Sequence, residues 1–100
     1  MTAQEFFASL PEKADAAKTA GMHNTYVFDI EDVGQWTVSV EDGKVSVAEG
    51  AGEADCTIRA SEETLVKIAR GEANPTTAYM TGKLKIDGDM GAALKLQKLF

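Results

Sequence analysis

Apolar and polar positions alternate with a period of two through the first half of the chain. Tyr26, Phe28 and Ile30 alternate with Val27, Asp29 and Glu31, and Trp36, Val38 and Val40 alternate with Thr37 and Ser39. That period places each apolar set on one face of a strand. Asp42-Gly43 separates Val40 from Val45 and reads as a tight hairpin turn, so three antiparallel strands follow, the third ending near Glu49. The stretch from Gly50 to Asp55, rich in Gly, Ala and acid, carries the chain across the sheet to a new edge. Cys56, Ile58 and Ala60 then mark a fourth strand.

Helical patterns frame these strands. Thr2 and Glu5 form a capping box, and Phe6, Phe7 and Leu10 are the apolar face of an opening helix that Pro11 is expected to break or restart. Asp15 is placed to cap a second short helix through Ala16, Ala17 and Ala20, stopped by Gly21. After the fourth strand, Ser61 caps a helix with Glu62 and Glu63 in its first turn and Leu65, Ile68 and Ala69 facing inward, and Gly71 ends it. Asn74 caps a short helix that takes Pro75 in its first turn and carries Tyr79 and Met80. Gly82 releases the chain into a strand from Lys83 to Asp87, with Leu84 and Ile86 pointing one way and Lys83, Lys85 and Asp87 the other.

The last helix is the odd element. Met90, Ala93 and Leu94 mark one side, while Leu96, Leu99 and Phe100 spread the apolar arc beyond an ordinary stripe, leaving Gly91, Lys95 and Lys98 as the polar line. So wide an arc needs two apolar partners, and the sheet supplies one. The second is another protein, a neighbouring helix or a bound lipid.

The chain resembles the sterol carrier protein type 2 family of lipid-transfer domains. The resemblance rests on FFASLPEKA (Phe6 to Ala14), QWTVSVEDGKV (Gln35 to Val45), ADCTIRAS (Ala54 to Ser61), the Gly71 exit followed by Asn74-Pro75, GKLKIDGDM (Gly82 to Met90) and the closing ALKLQKLF (Ala93 to Phe100). It covers essentially the whole chain in order. It implies an α/β (α+β) domain with a five-stranded, mainly antiparallel sheet of order 3-2-1-4-5, helices over one face and an apolar tunnel between the layers. The implied ligands are a fatty acid, fatty acyl-CoA, or possible sterols and other lipids, bound without catalysis and transferred within the cell. Combined with the apolar arcs, the resemblance selects Phe6, Phe7, Leu10, Tyr79, Met80, Leu84, Ile86, Met90, Leu94, Leu96 and Phe100 as tunnel lining.

Composition agrees with one soluble domain over residues 1–100, since 100 residues at 44% hydrophobic and 26% charged suffice for a single core. A formal charge of −6 argues against nucleic acid or an anionic membrane as the main partner. A local patch of Lys83, Lys85, Lys95 and Lys98 stays open as a head-group contact at a cavity mouth, against the reading of a solvated face. A transient membrane contact and a homodimer stay open too. The absence of a membrane-length apolar run, of a signal-like start and of an SKL-type ending leads to a cytoplasmic expectation.

Catalytic chemistry finds little footing. His23 is the one histidine and reads as a turn residue, with no recognisable nucleophile motif around it. Asp87 and Asp89 flank Gly88 like a fragment of a calcium loop, yet the third oxygen ligand and closing Glu are missing, so Asp89 reads as a helix cap. Gly82, Gly88 and Gly91 match no nucleotide-binding pattern. Cys56 reads as a small core residue, Trp36 as core, and no cofactor is expected. Two readings remain: a non-catalytic lipid carrier, and an interaction or dimerisation module assisting an enzyme of hydrophobic substrates.

Overall fold

In the computed structural model, which describes residues 2–13 and 16–95, β1 (His23–Ile30) is the middle of a five-stranded sheet. Its alternation buries Tyr26, Phe28 and Ile30 on one face. β2 (Gly34–Glu41) runs antiparallel to β1, and β3 (Lys44–Glu49) antiparallel to β2. The turn between them holds Asp42 at φ 44° and Gly43 at φ 85°, the two positive φ values that a type I′ hairpin turn requires.

β4 (Cys56–Ala60) pairs with the other side of β1 in parallel, and β5 (Leu84–Gly88) pairs antiparallel with β4. The order is therefore 3-2-1-4-5, as expected, with one parallel pair in a mixed sheet. The crossover that makes this pairing is bonded to the sheet it passes. Asp55 accepts from Thr25 N at 2.9 Å and returns its own N–H to the Thr25 carbonyl at 2.8 Å, while Thr37 Oγ1 donates to the Gly50 carbonyl at 2.7 Å. Val27 lies on the face away from the core and is buried as well; its β2 partner Thr37 is the residue to which the crossover bonds.

The described residues form five helices as well: α1 (Ala3–Lys13), α2 (Ala16–Thr19), α3 (Glu62–Ala69), α4 (Pro75–Met80) and α5 (Met90–Lys95). The capping box closes reciprocally, with Thr2 N donating to Glu5 Oε1 and Glu5 N to Thr2 Oγ1, both at 3.2 Å. Ser61 accepts from Thr64 N and Asn74 from Thr76 N at the starts of α3 and α4. α1 lies against β3 and α3, and its Phe7 stacks on Trp36 with ring centroids 4.7 Å apart. Trp36 is thus a core residue.

Two expectations change. Pro11 does not break α1, which runs on to Lys13. The proline falls in the last turn, where it removes a single N–H, and the buried Phe7 and Leu10 already anchor the helix. In α5 the buried side is Ala92 and Ala93, while Met90 and Leu94 face outward. The Tyr26 hydroxyl donates to the Ala92 carbonyl at 2.6 Å, and so close an approach of helix to sheet favours alanine at the contact. Asp89 caps this helix by accepting from Gly91 N at 2.8 Å. The Asp15 cap, the outer apolar arc of Leu96, Leu99 and Phe100, and Lys98 of the polar line lie outside the described residues.

Gly88 sits at φ 121° where a Cβ would stand 2.5 Å from the Asp55 carbonyl oxygen and 2.8 Å from Cys56 Cα. Both neighbours are backbone and cannot yield cheaply. Gly88→Ala is therefore expected to cost about 3 kcal/mol in urea unfolding, combining overpacking with backbone strain. Gly71→Ala, at φ 77° with no atom within 4 Å of the new Cβ, should cost only about 1–2 kcal/mol from its backbone alone.

Candidate functional site

Sheet register lines up the apolar side chains of the core face in rungs. Trp36, Phe28, Ile58 and Ile86 form one rung across β2, β1, β4 and β5, and Ile30, Ala60 and Leu84 form the next. Leu65 and Ile68 of α3 and Pro75 of α4 face Phe28, Ile30, Ile58, Ala60 and Leu84 across an apolar slot with no polar lining surface. Its volume is about 10 Å³, room for one water molecule at most. The tunnel implied by the resemblance is thus not displayed as open space; its place between the layers is a closely packed seam.

A wide cleft of about 880 Å³ adjoins this seam and shares Ala60 with it. Thr64 and Lys67 of α3 with its cap Ser61, Thr77 and Ala78 of α4 with its cap Asn74, and Gly82, Lys83 and Lys85 beyond it line the cleft. Four basic side chains (Arg59, Lys67, Lys83, Lys85) meet four acidic ones (Asp29, Glu31, Glu63, Glu72) there. Glu63 pairs with Lys67 at 3.1 Å and Asp29 with Arg59 at 3.7 Å. The charges of the cleft are thus balanced and partly paired, with no excess of either sign.

The expected lining residues fall into separate places. Leu84 lines the slot, and Ile86 packs half-buried against the same core. Phe6, Phe7 and Leu10 are buried in the core around Trp36 and Phe28. Tyr79, Met80, Met90 and Leu94 are exposed, because α4 buries only Ala78 and α5 only its alanines. Leu96 and Phe100 lie outside the described residues. Phe28, Ile30, Ile58, Ala60, Leu65, Ile68 and Pro75 line the slot without having been selected. Their inward alternation was legible, but only the pairing of β1 with β4 under α3 sets them around one space.

Tyr26 and Cys56 form an adjacent, wholly buried pair in the parallel ladder. Burial, reinforced by the charges of Asp55 and Asp89, pushes the Cys56 thiol up to about 11. Burial likewise raises the Tyr26 hydroxyl, with Cys56, Asp55 and Asp89 adding to it. Such a thiol is no nucleophile near neutral pH. Among the described residues no three His, Cys, Asp or Glu side chains group as a metal site, and no helix is long and apolar enough to cross a membrane.

The profile of the SCP-2 sterol transfer family matches residues 3–100. The chain belongs to that family. Sterol carrier protein 2 of Gallus gallus is 49% identical over 65 residues, 64% of this chain and 12% of that protein. Hydroxysteroid dehydrogenase-like protein 2 of Xenopus tropicalis is 36% identical over 100 residues, 96% of this chain and 24% of that protein. The chain therefore spans a quarter or less of these curated relatives. Among solved structures, the stereoselective inverting sec-alkylsulfatase Pisa1 from Pseudomonas sp. superposes with a TM-score of 0.85 at 27% identity, over 99% of this chain and 16% of the enzyme. The sterol carrier protein domain 2 of Helicoverpa armigera superposes with a TM-score of 0.76 at 29% identity, over 95% of this chain and 82% of that one, so the mixed sheet and its helices are the family's fold.

The raised groups predict an alkaline limit. A folded thiol near 11 against an unfolded value near 9 contributes stability that is complete below pH 9 and is lost as pH rises through 11. Urea midpoints should fall from about pH 9 upward. In Cys56→Ala the onset should move above pH 10, the ordinary value for tyrosine, where Tyr26 takes over.

Proposed function

We propose that this chain binds single acyl chains between α3 and the β1–β4 pair and carries them in solution, with the polar end of the ligand held in the neighbouring cleft. The observation that carries the reading is the join of a purely apolar seam to a wide, charge-lined cleft at Ala60. Lipid binding and transfer is the general property of the family, which supports the class of ligand. Fatty acid and fatty acyl-CoA fit this division into tail and polar head better than a sterol, whose rigid rings need more width.

Burying about ten methylenes at roughly 0.8 kcal/mol each yields on the order of 8 kcal/mol before ordering costs, equivalent to about micromolar affinity. Part of that energy must open the seam. The wall that yields most cheaply is α4, which buries only Ala78 and closes the slot with Pro75. Leu65, Ile68, Ile58 and Leu84 line the opened space, and Ile86 extends it.

A second reading has its own support, for the chain corresponds to a small part of an alkylsulfatase and of a dehydrogenase-like protein. Here the domain presents a hydrophobic substrate to an attached or associated enzyme. A carrier extracts lipid from one vesicle population and delivers it to another unaided; a presenting module raises the turnover of its enzyme and transfers little.

Palmitate at about a hundred times its dissociation constant should stabilise the fold by about 2.7 kcal/mol, a rise in melting temperature of about 13 °C for a domain of this size. Butyrate should give no shift. Leu65→Ala should lower stability by about 2–5 kcal/mol, and palmitate should recover more of this loss than of any loss in a core variant away from the slot, such as Val38→Ala. Equal recovery in both would remove the seam as the site.

A further inference from the structure

β5 is an edge strand, and the ladder shows which of its backbone groups are free. Glu31 N donates to the Ala60 carbonyl, so Ala60, and with it Ile58 and Cys56, turns its backbone groups toward β1 and leaves those of Thr57 and Arg59 for β5. Their β5 partners Asp87 and Lys85 therefore face β4, while Leu84, Ile86 and Gly88 turn their N–H and C=O groups away from the sheet. Among the described residues these three make no backbone bond outside the sheet. The segment around this edge, Lys83-Leu84-Lys85-Ile86-Asp87-Gly88-Asp89, reverses its charge about Ile86. Lys85 stands across the ladder from a like charge, Arg59, which pairs with Asp29, and Asp87 stands across from Thr57. Among the described residues neither Lys85 nor Asp87 has an ion-pair partner. Exposed apolar groups flank the same strand. Tyr79 and Met80, 41% and 79% exposed, end α4 just before β5, and Met90 and Leu94, 47% and 69% exposed, lie on α5 just after it.

We propose that β5 is a self-association edge, pairing antiparallel with β5 of a second copy of this chain about a twofold axis at Ile86. In that register Ile86 lies opposite Ile86 of the second copy and Leu84 opposite its Gly88, so the outward backbone groups of all three bond across the axis. Lys85 lies opposite Asp87 of the second copy, and Asp87 opposite its Lys85. Each charge thus gains the partner it lacks within one chain. Lys83 and Asp89 continue the match at either end. Moving the axis to Lys85 or to Asp87 would set like charges against each other, so charge fixes the register. The pairing also brings the α4 end of β5 in one copy beside the α5 end in the other. Tyr79 and Met80 are thereby gathered toward Met90 and Leu94 of the second copy, and the half-buried Ile86 is covered. An unrelated strand could bond to the same edge, but it would not return this alternation of charge. The assembly closes as a dimer, because each copy has already used the edge it pairs with.

This pairing does not rest on the carrier reading, and the ligand-free chain tests it. Sedimentation equilibrium from micromolar to millimolar chain should show a monomer–dimer equilibrium and no larger species. Lys85→Asp and Asp87→Lys should each weaken the dimer about tenfold or more, since each sets like charges opposite one another at two symmetry-related places. Both side chains are exposed, so melting temperatures taken at low micromolar concentration, where monomer prevails, should stay near that of the parent chain. Mixing the two variants in equal amounts should restore a dimer containing one of each, because each then carries the charges the other lacks. In hydrogen exchange the Ile86 amide should become protected as the dimer forms. The proposal is overturned by a chain that stays monomeric at millimolar concentration, by dimers that survive in both single variants, by a mixture that fails to associate, or by dimers in which the Ile86 amide stays unprotected.

Discussion

The parallel seating of β4 beside β1 is the constraint on which the rest of the molecule depends. It places Cys56, Ile58 and Ala60 beside Tyr26, Phe28 and Ile30, so one continuous apolar face spans both halves of the chain. Parallel neighbours cannot be joined by a tight turn, and the crossover from Gly50 to Asp55 answers by bonding to Thr25 and Thr37 as it passes. β5 then closes on β4 so tightly that Gly88 lies against Asp55 and Cys56 backbone. Every later element is positioned by that rung, because Asp89 N also donates to the Asp55 carbonyl and starts α5 there.

The helices are held to this sheet with unequal strength, and the inequality is where function enters. α1 is fixed by Phe6, Phe7 and Leu10 and by the bond from Ala3 N to Glu62 Oε2 at 2.9 Å. α5 is latched by the Tyr26 hydroxyl on the Ala92 carbonyl. α4 has no large buried side chain; Ala78 is its buried residue. A domain of this size has one core, so room for the proposed acyl chain would come from that core. Opening is cheapest where least is buried, which is why the proposed site lies on the side bounded by α4, away from the aromatic cluster of Phe7, Phe28 and Trp36.

Much of the architecture was legible from local chemistry. The strands showed in the alternation at Tyr26 to Ile30 and Trp36 to Val40, the hairpin in Asp42-Gly43, and the helix starts in Thr2, Ser61, Asn74 and Asp89. These signals act over a few residues and need no distant partner. The candidate site was less legible. Tyr79, Met80, Met90 and Leu94 are apolar and helical, and the apolar arcs together with the resemblance made them lining, yet they face outward. Ala92 and Ala93 carry a weak hydrophobic signal and take the buried side because they are small enough for α5 to approach the sheet. Pro11 reads as a break in isolation and is carried by a helix whose other residues are anchored in the core.

Taken alone, the sequence determined which segments are strands and helices, where they begin and turn, and, through the order of its motifs, to which family the domain belongs. These follow from backbone preference, capping and hydrophobic period, all of which act over short range. Only the tertiary structure decided that Phe28, Ile30, Ile58, Ala60, Leu65, Ile68, Pro75 and Leu84 surround one space and that a charge-balanced cleft adjoins it. That choice depends on which strands become neighbours and how closely each helix can approach them. Both are settled by the volumes of side chains that meet from distant parts of the chain, a quantity that no local pattern contains.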